Sequence, residues 1–144
     1  MRVIYTFILF LLSANSAFAR DDKVMLSFTE LLASAEFKEK VGSEVRFYFG
    51  TQATPAVEKN LGDLVSNRKT NAFNKSDTNA CKWIMLGIMM QFKQSAIERG
   101  GNAVIGMESY YKKRVYSSQT DYECHAGVFV AGIAMRGTVV KLRN

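Results

Sequence analysis

Apolar and polar positions alternate with a changing period along the chain, and each change of period marks an element. The stretch "LSFTELLASAEFKEKVG" keeps Leu31, Leu32, Ala35 and Phe37 on one side, which predicts a first helix. Ser27 and Glu30 stand at the capping-box spacing, and Gly42 is placed to end that helix in a left-handed turn. In "EVRFYFG" the period drops to two. Val45, Phe47 and Phe49 fall on one face and Arg46 and Tyr48 on the other, predicting a short strand that Gly50 closes. No period runs through "TQATPAVEKNLGDLVSNRKTNAFNKSD", which holds the only proline. It reads as a long loop, with a short strand around Val65 to Phe73. Loops of this length often carry function, so 51–75 is a candidate recognition surface.

The longest periodic stretch is "SDTNACKWIMLGIMMQFKQSAIERGG". Cys81, Ile84, Met85, Ile88, Phe92 and Ala96 recur at spacings of three and four, the mark of a core-facing helix stripe. Ser76 or Asp77 can cap its start and Gly100 supplies the stop. Trp83 and Met90 widen the stripe, so the first half is expected to be buried nearly all round. The methionines read as core filling rather than as an adaptable binding patch. "NAVIGMESYYKKRVY" then predicts a strand in which Ile105, Met107 and Tyr111 alternate with Val104, Glu108 and Tyr110. It runs into an exposed turn at "SSQTD". Finally "YECHAGVFVAGIAMRGTVVKL" is rich in Val, Ile and Gly and strongly β-forming. It is one long bent strand, or two strands broken near Arg136-Gly137. Gly127, Gly132 and Gly137 suggest bulges or close approach of the main helix.

This order predicts an α+β two-layer sandwich: an antiparallel or mixed sheet of roughly three to five strands packed by one long helix, plus a short N-terminal helix. The first residues lie outside that scheme. "MRVIYTFILFLLSANSAFA" has Arg2, an apolar run from Val3 to Leu12, and small residues at Ala17 and Ala19. These are the parts of a secretory signal peptide cut after Ala19. The apolar run is about half the roughly 20 residues that a span needs, and "WIMLGIMMQF" is also too short. The expected organisation is therefore a signal at 1–19 and one domain at 20–144, periplasmic or secreted. Removing the leader takes Arg2 and no acid from a chain of net charge +6, leaving about +5. A basic exported domain fits an envelope protein or an anionic wall or membrane component as partner rather than nucleic acid. A second copy, joined through the glycine-rich last strand, is a further candidate.

Export changes the meaning of Cys81 and Cys124. Two cysteines in an oxidising compartment allow one connectivity. They lie 43 positions apart, and closing a loop of that length stabilises by about 4 kcal/mol in the chain-entropy model. Two other chemistries compete at "TDYECHAGVFVAG", where Cys124 adjoins His125, the only histidine. A Cys–His nucleophile needs the base beside the thiol, whereas adjacent residues of a strand point to opposite faces. Zinc usually takes four ligands at short spacings, which one histidine and two distant cysteines do not supply. The disulfide is the expected role. No metal, cofactor or catalytic residue is assigned.

"AIERGGNAVIGMESYY" and "AGIAMRGTVVKL" resemble the YbjQ-like family, in which a helix ends in a turn-and-strand of the type "lGAnAVvgv" and the last strand closes on "GTAV". Gly101, Asn102, Ala103, Val104 and Ile105 match the first element, and Gly137, Thr138, Val139 and Val140 the second. The signal and the helix–strand cysteine pair are also similar to an exported family often labelled "excinuclease ATPase subunit"-like. A further likeness is to stress-sensor lipoproteins of the RcsF type. The resemblance implies an exported α+β domain. This chain departs from the sensors in having two cysteines rather than four and no anchoring cysteine. It contains no GxxxxGK[ST], so the phosphate-cradling loop that an ATPase label implies is missing.

Two functional expectations follow. The first is a non-enzymatic exported interaction or envelope-sensing module, whose partner surface is the 51–75 segment with Tyr110, Lys112, Lys113, Arg114 and Tyr116. The second is an envelope enzyme or a small-ligand or metal-binding domain. Its sequence basis is Glu108 and Glu123, which could meet on neighbouring strands as paired carboxylates for acid–base work.

Overall fold

The computed structural model describes residues 20–144; the signal-peptide reading concerns residues outside that range. The element order is β1 (Asp22–Ser27), α1 (Phe28–Ala33), α2 (Ala35–Lys40), β2 (Arg46–Phe49), β3 (Val57–Asn71), α3 (Asp77–Glu98), β4 (Ala103–Ser109), a single 3-10 turn (Tyr111–Lys113), β5 (Asp121–Ala126) and β6 (Val130–Leu142). The fold is the expected α+β sandwich, a mixed six-stranded sheet under one long helix.

β6 organises the sheet. Along one edge it pairs antiparallel with β3 over nearly its whole length. Along the other edge two strands share it. β5 pairs at His125↔Gly132 and Ala126↔Ala131, and β4 takes over from Ser109↔Met135 to Ala103↔Val140. β1 lies outside β5, and β2 runs parallel beside β4. Helix α3 covers one face. Its Cys81, Ile84, Met85, Ile88, Phe92 and Ala96 are all buried, in one cluster with Val104, Met107, Ile133, Met135 and Val139 of the sheet. Ser76 caps the helix through its side chain and Gly100 follows at φ +77°.

Several expectations are corrected. The first helix is two, because Ser34 is extended (φ −69°, ψ 147°) and its side chain caps α2 at the Phe37 amide. Ser27 caps α1 at the Glu30 amide. β1 precedes both helices; only Val24 and Leu26 face its covered side, too few apolar residues to mark a strand by period. The stretch read as a loop is a strand of 15 residues, β3. Of its side chains only Leu64 and Ser66 are buried, so the apolar alternation that signals a strand is absent. Backbone pairing to β6 holds it, and polar contacts tie it to α3: Ser66 Oγ to Gln91 (2.8 Å) and Arg68 to the Gly87 carbonyl (3.3 Å).

Trp83 and Met90 are not part of the core stripe; they are 53% and 44% exposed, outside the buried face of α3. A helix lying on a single sheet keeps a solvent stripe, and here Lys40 stands over the Trp83 ring. The last β segment is two strands, broken at 127–129 rather than near Arg136-Gly137. A Cβ at Gly137 would meet Val104 and Met107 of the neighbouring strand, not α3.

The predicted faces of β4 change at Gly106. That residue has φ +60° at a register shift between Ile105 and Glu108, the glycine-bulge geometry. The bulge inserts one residue, so Val104, Met107 and Ser109 are buried while Ile105 and Glu108 are only partly so. Sequence parity placed Val104 with Glu108, and the bulge separates them. The residues that carry the family resemblance also have a packing reason. Gly101 precedes β4 where a Cβ would come within 2.7 Å of Val139 Cγ1. Asn102 exchanges two side-chain hydrogen bonds with the Leu142 backbone, 2.7 and 3.0 Å. These bonds tie the helix-to-strand turn to the chain's last strand.

Candidate functional site: the fork between β4 and β5

β5 leaves β6 just where β4 arrives, and the space between them is a fork. The Tyr110 amide, not a β5 amide, donates to the Ala134 carbonyl (2.9 Å). The Glu123 amide turns instead to Ser109 Oγ (3.0 Å). Ser109 is almost fully buried, and this bond accounts for a hydroxyl in the core: it satisfies a strand amide that has lost its ladder partner.

β5 alternates cleanly. Tyr122 and Cys124 point to the α3 side, and Cys124 is bonded there to Cys81. Both cysteines are fully buried, and no free cysteine remains. Glu123 and His125 point to the opposite, open face. Their contacts are with each other, Nε2 of His125 lying 2.5 Å from Glu123 Oε1. Nδ1 is 3.3 Å from Asp21 Oδ1, without hydrogen-bond alignment. Tyr111 lies flat on the imidazole, with centroids 3.5 Å apart and planes within 8°. Burial and the nearby Asp21 carboxylate raise the Tyr111 phenol above its ordinary pKa.

On the other prong, Glu108 accepts from Arg136 (2.6 Å), and the guanidinium lies 4.8 Å from the Tyr110 ring. The bond to Glu108 raises the Arg136 pKa. Between β4 and β3 this pair lines an open groove of about 290 Å³ with Asp63, Val65 and Thr138. Glu108 and Glu123 thus each bind a different basic side chain, Arg136 and His125. The structure does not join them as one acid–base pair. Nor does it bring His125 to Cys124, whose sulfur is spent in a bond on the far side of the sheet. Among the described residues no group of three or more His, Cys, Asp or Glu gathers to hold a metal ion.

The partner surface read from the sequence is only partly assembled. Tyr110 and Tyr111 are drawn into the fork, while Lys112, Lys113, Arg114 and Tyr116 remain exposed. They form a closed loop. Ser109 and Tyr116 exchange both backbone hydrogen bonds (3.0 and 2.9 Å), and inside them the Lys113 and Arg114 amides donate to the carbonyls of Tyr110 and Tyr111. This closure puts Lys112 and Lys113 at φ +51° and +61°. Left-handed backbone costs a residue with a Cβ about 1 kcal/mol, and glycine or asparagine would cost less. The 51–75 segment does not join this loop as a flexible surface, since most of it is β3.

Sequence reasoning missed the fork because it depends on which strand β6 pairs with at each residue. Its one legible signal was the density of aromatic and basic residues from Tyr110 to Tyr116. Comparison with known proteins adds no identity: no family model, no curated protein and no solved structure matches the chain.

Proposed function

We propose that this protein is an exported, non-enzymatic interaction module that binds an acidic envelope partner through the loop from Tyr110 to Tyr116. The observation that carries the reading is the pair of adjacent lysines in left-handed backbone. Strain of this kind persists where the surroundings impose it, and it gathers at functional positions. Here it sets the backbone from which the exposed Lys112, Lys113 and Arg114 project, and a loop whose backbone is already set loses less entropy on binding than a flexible one.

Export is supported by the signal-like leader and by the buried disulfide, which fits an oxidising compartment. Among the described residues no helix is long and apolar enough to cross a membrane. The non-enzymatic reading is supported by the engagement of the only imidazole beneath Tyr111 and of both thiols in a bond. The strands that carry the YbjQ-like resemblance pair with each other, Ala103↔Val140 and Val104↔Val139. The likeness therefore concerns a packing unit and names no ligand.

The test measures binding to immobilised polyglutamate and to envelope extract at several salt concentrations. Charge reversal at Lys112, Lys113 and Arg114 should lower retention at least tenfold. Replacing Lys112 and Lys113 with glycine should also lower it, while raising stability by up to about 1 kcal/mol as the backbone strain is relieved. Retention unchanged by charge reversal removes the loop from the function.

A further inference from the structure

At one end of the sheet, where β3 finishes and β6 begins, four apolar side chains stand in solvent. Phe73, Val128, Phe129 and Val130 are 52%, 50%, 65% and 50% exposed. The two phenylalanines stack on one another, centroids 5.6 Å apart and planes within 19°. The Ala72 amide donates to the Phe129 carbonyl (2.8 Å), so the backbones beneath the rings are joined. The rings and the two valines adjoin one another, so they make one contiguous apolar patch rather than scattered surface residues.

On the β3 side of this tip the charges have one sign. Lys69 and Lys75 border it together with Arg68, and Trp83, 53% exposed, lies beside the same cations. Arg68 and Lys75 are bound only to backbone carbonyls, of Gly87 and Asn71. None of the three cations has a carboxylate partner among the described residues. Asp22 and Asp77, at the same end of the fold, are both bound to Arg20. The tip is therefore apolar at its centre and cationic along its β3 margin, while the acids, Asp21 among them, stand on its β1 side.

We infer that this tip docks on the surface of an anionic lipid bilayer, with Phe73, Val128 and Phe129 entering the headgroup boundary and Arg68, Lys69 and Lys75 meeting lipid phosphates. Apolar insertion combined with cationic contact is the physical basis of interfacial membrane binding, and each cation near an anionic leaflet adds attraction that falls off within a Debye length. A protein partner fits less well. A stable interface takes about 800 Å² and roughly 20–30 residues from each side, whereas the apolar centre here is four side chains. The chain also enters the fold here: the Arg20 carbonyl lies 2.8 Å from where a Cβ on Gly127 would stand, in the turn that carries Phe129.

The experiment is flotation of the exported protein, disulfide intact, with vesicles of phosphatidylcholine alone or mixed with phosphatidylglycerol. The wild-type chain and F73S/F129S, K69E/K75E and K112E/K113E variants are compared, all checked for unchanged thermal melting. Binding at least tenfold stronger to the phosphatidylglycerol vesicles is expected, lost in F73S/F129S and reduced to the phosphatidylcholine level in K69E/K75E. It should persist in K112E/K113E, which separates this surface from the Tyr110–Tyr116 loop. Equal binding to both vesicle types, or binding indifferent to F73S/F129S, overturns the inference. So does a concentration-dependent dimer in sedimentation velocity that F73S/F129S abolishes without any vesicle binding, which would assign the tip to a second copy.

Discussion

The two faces of the sheet are built on different physics. Under α3, Ile84, Met85, Ile88 and Phe92 pack with Ile133, Met135 and Val139, all of them buried. The polar contacts there, Ser66–Gln91 and Arg68–Gly87, lie on β3. On the open face the contacts around the fork are polar or aromatic: Glu108 with Arg136, Glu123 with His125, Tyr111 over the imidazole. Burial of one large apolar side chain is worth about 1.5–3 kcal/mol and depends little on direction. A partly exposed ion pair is worth about 1 kcal/mol or less and depends strongly on it. The covered face therefore holds the fold together, while the open face orients a small set of side chains and leaves the loop beyond them for contact.

The largest expected effect is on the tie that joins the two layers. Replacing Cys81 and Cys124 together with alanine should lower unfolding free energy by about 4 kcal/mol, measured by urea denaturation, and reductant should lower wild-type stability to the same level. A double variant as stable as the oxidised protein would show that apolar packing alone clamps α3 to β5. Next comes a matched pair across the faces. Phe92→Ala, beneath the helix, should cost about 3 kcal/mol, and Val65→Ala, on the open face at 59% exposure, less than about 0.5 kcal/mol. Equal costs would erase the distinction between the faces.

The last effect grows with pH and is read under alkaline conditions. Tyr122 is 2% exposed, and burial, with a lesser contribution from Glu30, raises its phenol well above the ordinary value. Above about pH 10 the unfolded chain releases that proton while the folded chain keeps it. Stability is therefore complete below pH 10 and falls by up to about 1.4 kcal/mol per pH unit as pH rises towards the folded-state pKa. Tyr122→Phe should flatten that slope between pH 10 and 12. A slope unchanged by the substitution would place the alkaline-labile group elsewhere, with Tyr111 on the open face the next to replace.

How much of this was legible varies from element to element. Helix α3 was readable because its core face repeats over many turns and both ends carry capping residues. Its solvent stripe was not, since Trp83 and Met90 are as apolar as their buried neighbours and only the single sheet below decides which side is covered. β3 was unreadable for the opposite reason: a strand held by backbone pairing under a polar helix margin has no need of alternating apolar residues. Within the site, the exposed cations of the 112–114 segment could be picked out as a cluster. The placement of Tyr111 on His125, of Arg136 on Glu108, and of Phe73 on Phe129 joins residues from different elements, and no local spacing encodes it.

Sequence alone determined the class of fold, the long helix with its caps, the partnering of the only two cysteines, and the basic balance. Each of these follows from residue type and near-neighbour spacing. Tertiary structure alone decided that β6 is shared by two strands on one edge. It also turned the faces of β4 at Gly106, forced two lysines into left-handed backbone and gathered an apolar tip from the ends of β3 and β6. Those outcomes depend on which distant backbone groups find each other as hydrogen-bond partners, and peptide groups are chemically alike at every position in the chain.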